Sequence, residues 1–132
     1  MIKAKRFVPY SVLSSTLWAM DRAIPHASII GLSERGVKFA RAMRDTLEEY
    51  WETETPERVV MDDQDSRNWA SSHSPLSRGA SVSGLYLGLT GPDAAQLKRL
   101  VHLVRKSNLY SDSRHHNSML AAEQWFDLLI SV

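Results

Sequence analysis

The chain contains no cysteine. That excludes disulfides, thiolate metal sites and a thiol nucleophile together. It also lacks any apolar run approaching the roughly 20 residues that cross a bilayer. The opening stretch "MIKAKRFVPYSVLSSTLWAM" starts basic, but Tyr10, Ser11, Ser14, Ser15 and Thr16 interrupt its apolar residues, and Asp21 and Arg22 follow. It has neither the unbroken apolar core nor the small-residue cleavage site of a signal peptide. A soluble, cytoplasmic protein is expected. Internal repeats, a phosphate-binding or dinucleotide glycine loop, a G-x-S-x-G elbow and any nucleic-acid signature are missing as well. Catalysis therefore has no motif behind it, and direct nucleic-acid binding is not expected.

What is present suits one globular domain over residues 1–132, long enough to bury a core and with an ordinary 43% apolar and 23% charged residues. Short apolar runs at Ile2–Val8, Ala27–Leu32, Glu57–Met61 and Ser81–Thr90 read as strands. In the last of these, Leu85, Leu87 and Leu89 share one face, while Val82, Gly84, Tyr86 and Gly88 share the other. Between the strands, helical spacing predicts helices from Ser11 to Ile24 and from Ser33 to Glu52, then after Pro92 and from Met119 to Ile130. Ser33 and Asp93 mark helix starts, and Asn117 or Ser118 is the expected cap of the last helix. The expected fold class is α/β, with α+β as its variant: a single layered domain of about four short strands with three to four helices on the sheet. A serine-rich loop is expected at about 66–81.

The net charge of +1 conceals an uneven distribution. Between Asp45 and Asp65 there are nine acids and one base, Arg58, a net −8 that leaves the rest of the chain at +9. The helix after Ser33 carries Arg35, Lys38 and Arg41 early and Glu48, Glu49 and Glu52 late, the reverse of what the helix dipole favours. Local rules tend to be broken at functional places. The alternative is a terminus neutralised by basic residues elsewhere in the fold. The stretch "RVVMDDQDSRNW" continues the acidic block to Trp69, an aromatic with no apolar periodicity around it. Acidic rows attract basic grooves, and tryptophan anchors interfaces.

The first functional reading is thus an interaction module, such as an inhibitor or modulator, that binds a basic protein partner of the kind that handles nucleic acid. Its contact residues are Glu48, Glu49, Glu52, Asp62, Asp63, Asp65 and Trp69, with Trp51 as a second aromatic anchor, and it needs no cofactor.

The alternative is a small enzyme. Asp62, Asp63 and Asp65 with His73 are the residues for a magnesium-dependent hydrolase; Glu57, His115 and His116 are further recruits. "DDQDS" lacks the glycine and terminal glutamate of a calcium loop, and aspartate and serine are ordinary turn formers. A second version sets a nucleotide-like ligand of a lyase or hydrolase against Tyr86 and the Gly84/Gly88 face, with Glu57 or His73 as acid–base. Close backbone packing is the other use of such glycines. The apolar end "WFDLLISV" either packs home or meets a second copy of the chain, in which case a site is shared between subunits.

Overall fold

Helix starts in this chain are written in side chains that reach back to the backbone. Thr90 Oγ1 accepts from the Asp93 amide at 3.1 Å, and Asp93 Oδ2 accepts from the Thr90 amide at 3.1 Å, a reciprocal capping box. Pro92 sits in the first turn, where a missing N–H costs nothing. Arg105 and Lys106 occupy the last turn. Replacing Thr90 with alanine is expected to cost about 1 kcal/mol, read as a lower midpoint in urea at unchanged slope. Ser33 likewise caps its helix, its Oγ accepting from the Gly36 amide at 3.1 Å.

In a computed structural model, residues 5–54, 57–60, 81–107 and 113–130 are described. The elements are β1 (Lys5–Pro9), α1 (Tyr10–Ala23), α2 (Ala27–Ile30), α3 (Glu34–Thr53), β2 (Glu57–Val60), β3 (Ser81–Gly88), α4 (Gly91–Lys106) and α5 (Ser113–Ile130). The α/β layered expectation is corrected: five helices hold most of the described residues, and strands are few and short. The sheet has the order β1-β3-β2, and both β1 and β2 run antiparallel to β3. No strand–helix–strand parallel unit is built from these elements.

One strand of the expected four is a helix. Within the expected strand Ala27–Leu32, Ala27–Ile30 forms the single turn α2, closed by Gly31 at φ +79. A short apolar run has no period long enough to separate strand from buried helix. Only glycine takes this left-handed cap without strain. The last helix also begins earlier than expected, at Ser113, so His115 and His116 are helical. The His115 ring stacks on Trp18 at 4.0 Å and 11°. The Arg22 guanidinium lies 4.1 Å from the same indole's centroid. This aromatic contact with α1 favours the additional turn.

The core lies between one face of the sheet, on which α1 and α3 pack, and the helices α4 and α5, which pack on each other and on α1. Val8, Leu85, Leu87 and Leu89 come from the β1–β3 region, Leu13 and Met20 from α1, Leu47 from α3, Leu97 and Leu100 from α4, and Phe126 from α5. On the opposite face Phe7 meets Tyr86 edge-on at 5.3 Å. The α5 end packs home through Trp125, Phe126 and Leu129, and Trp125 Nε1 donates to the Phe7 carbonyl at 3.0 Å. Among the described residues, no helix is long and apolar enough to cross a membrane.

Candidate functional site

At 3.6 residues per turn, Asp45, Glu48, Glu49 and Glu52 fill an arc of about 100° on α3. All four side chains are exposed. Ala40, Met43 and Leu47 are buried on the other side of the helix. Trp51 stands at the border between these two arcs. Its helical phase lies next to Leu47 and Ala40 on the buried side, yet it is 39% exposed. Its ring rests on Tyr10, the first residue of α1, at 4.8 Å and a 57° tilt. One edge is thereby held by the fold while the rest faces solvent.

Neutralisation of this acidic end is slight. Arg44 bridges to Asp21 of α1 at 2.5 Å and to Glu48 at 3.4 Å. The hydrogen bond to Asp21, then the charges of Asp21, Glu48 and Asp45, push the Arg44 guanidinium above its already high ordinary value, so it stays cationic. Among the described residues, Glu49 and Glu52 make no ion pair. No base occupies the last turn of α3. The dipole is therefore opposed by uncompensated carboxylates, as the sequence order implied.

Asp62, Asp63, Asp65, Trp69 and His73 lie outside the described residues, as does the serine-rich loop up to residue 80. Among the described residues, no cluster of three or more histidines, aspartates or glutamates could hold a metal ion. Glu57 opens β2, while His115 and His116 lie on α5, His115 against Trp18. The nucleotide-like alternative meets an obstacle at Gly84. A Cβ there would lie 2.3 Å from the Val8 carbonyl oxygen and 2.8 Å from the Pro9 Cα. The backbone of β1 fills that space, so this glycine serves strand packing. Tyr86 remains 37% exposed beside it.

A second charged constellation was not anticipated. Glu123 of α5 is 4% exposed, surrounded by two partners from α4. Arg105 Nε donates to Glu123 Oε2, and Arg105 Nη2 donates to Oε1 at 3.2 Å. His102 Nδ1 lies 2.7 Å from the same Oε1. Nearby, Lys98 Nζ meets Asp127 Oδ1 at 2.6 Å. These pairs rung the antiparallel helices α4 and α5 together. They line a cleft of about 600 Å³ that also takes in Ala95, Arg99, Leu120, Gln124 and Ile130.

No known protein family matches this chain, and neither a curated protein nor a solved structure matches it.

Proposed function

We propose that this chain is an interaction module whose acidic α3 end docks on a basic surface of another protein. The observation that carries the reading is Trp51, an aromatic ring fixed on one side by Tyr10 and open on the other, beside exposed carboxylates at Asp45, Glu48, Glu49 and Glu52. Tryptophan held rigid at a border of this kind gives contact area at little entropic cost. The carboxylates supply orientation and speed of encounter. A partner whose groove receives nucleic acid has the required positive surface, and occupying that groove would make this chain an inhibitor or modulator of it. The acids at positions 62, 63 and 65 and Trp69 extend the same negative block along the sequence.

The test compares wild-type protein with Glu48→Gln/Glu49→Gln/Glu52→Gln and with Trp51→Ala. Each is used in affinity capture from cells of the source organism, followed by titration against the recovered protein. A basic protein is expected whose association rate falls by about tenfold or more in the triple variant and with added salt, as for steered encounters. Trp51→Ala is expected to raise its Kd by about tenfold or more. A partner bound equally by all three proteins, or no specific partner, overturns the reading.

A further inference from the structure

We propose that the α4–α5 cleft binds a small organic anion bearing a hydroxyl group, with His102 accepting from the hydroxyl and Arg99 meeting the anion. The inference starts from the buried carboxylate. Glu123 is already compensated by Arg105, which engages both of its oxygens from a position only 10% exposed. A structural ion pair between the helices is complete at that point. His102 is additional, and its position is different: its side chain is 45% exposed and lines the cleft.

The hydrogen bond settles which ring nitrogen does what. An ionised carboxylate can only accept, so at 2.7 Å it is His102 Nδ1 that carries the proton toward Glu123 Oε1. Arg105 Nη2, 3.3 Å from Nδ1, is then a second donor converging on the same oxygen rather than a donor to the ring. In the neutral imidazole this leaves Nε2 as a lone-pair acceptor. A carboxylate that fixes a histidine in one tautomer and orientation is a recurring device where the other nitrogen meets a ligand. Among the described residues, Nε2 has no hydrogen-bond partner.

The rest of the cleft indicates the ligand's chemistry. Arg99 lies one turn before His102, is exposed, and makes no ion pair among the described residues. Lys98 is held beside it by Asp127. Ala95, Leu120 and Ile130 add an apolar part to the lining. The cleft's roughly 600 Å³ falls in the range of small-molecule sites. An acceptor nitrogen, a cation and an apolar wall select a donor, an anion and a carbon skeleton in one small molecule. Hydroxy acids and hydroxylated phosphate esters share this chemistry.

Calorimetry and NMR of the His102 ring, using the full chain, test the proposal with named probes. Lactate and glycerol 3-phosphate represent the two anion types, and propionate and methyl phosphate are their controls without a hydroxyl. At least one hydroxylated probe is expected to bind saturably, to shift the His102 ring resonances, and to bind about tenfold tighter than its control, the ratio one well-formed hydrogen bond provides. His102→Ala and Arg99→Gln, which leave the Glu123–Arg105 pair intact, are each expected to weaken binding by about tenfold. Glu48→Gln on α3 is expected to leave it unchanged, which separates this site from the docking face. Absence of saturable binding by both probes up to about 10 mM, equal binding of the controls, or insensitivity to His102→Ala overturns the proposal.

Discussion

Replacing Glu123 with leucine is expected to destabilise the protein by about 3–5 kcal/mol, the range seen when one member of a buried ion pair is removed. The leucine fills a similar volume, so the loss is not a packing effect. It arises because Arg105, 10% exposed, is left with an unpaired guanidinium where water reaches it poorly. His102 loses its Nδ1 acceptor in the same step. The measurement is urea unfolding at neutral pH, with the midpoint falling at constant slope. A second variant isolates the cause. Glu123→Leu/Arg105→Met removes both charges and is expected to recover most of the lost stability, because a buried pair is often dispensable where a lone buried charge is not. If the double variant is as unstable as the single one, the guanidinium is not the source of the penalty. A single variant costing under about 1 kcal/mol would place the pair in the class of solvent-exposed bridges.

Gly84→Ala is the second large effect expected, at about 3 kcal/mol, near the upper end for inserting an atom into a packed interior. The added Cβ would meet the Val8 carbonyl oxygen at 2.3 Å, the Phe7 Cζ at 2.8 Å and the Pro9 Cα at 2.8 Å. Two of those three atoms are backbone, which cannot rotate aside. Relief requires β1 to move away from β3 at the Pro9–Gly84 end of their register. Val8, fully buried, and the Trp125 bond to the Phe7 carbonyl would shift with it. The Trp125 indole N–H resonance, which reports the bond to the Phe7 carbonyl, is a local reporter, and the loss is expected in global stability as well. Gly31→Ala offers a contrast, since nothing lies within 4 Å of its Cβ position. Its cost comes only from holding φ +79 with a side chain, about 1 kcal/mol, and it should leave the sheet intact.

Some of this molecule is legible in its residues and some is not. Ser33, Pro92 and Asp93 announce their helices because capping is local chemistry, decided within four residues. The alternation of Leu85, Leu87 and Leu89 against Tyr86 also reads directly as one buried and one open face. The layered α/β expectation failed at Ala27–Leu32, where six residues cannot declare a period and Gly31 turned the run into a capped helical turn. The sequence sets no pairing direction for the strands, and β1 and β2 both run antiparallel to β3. The exposed carboxylates of α3 were visible as a charge count, but the opening of Trp51 was not. That depends on Tyr10, forty-one positions away, taking one side of the ring. The Glu123 constellation did leave a trace. Its helical phase sets it beside Met119 and Phe126, both buried, so an acid there demanded a partner. Which residue would answer was beyond reach, because His102 and Arg105 lie on another helix.

The pairing of β1 with β3 has a kinetic consequence. Arg6 Nε donates to the Leu89 carbonyl across 83 positions of sequence, and the central strand is the last of the three to be translated. A nascent chain emerging from the ribosome can coil α1 and α3 early, but it has no template on which to lay its first strand until Gly88 has emerged. Closing so long a loop is entropically slow, and high contact order lengthens refolding times. Meanwhile α4 and α5, neighbours in sequence, can assemble on their own clock, which makes the helical hairpin the natural seed and the sheet the late, rate-limiting seal.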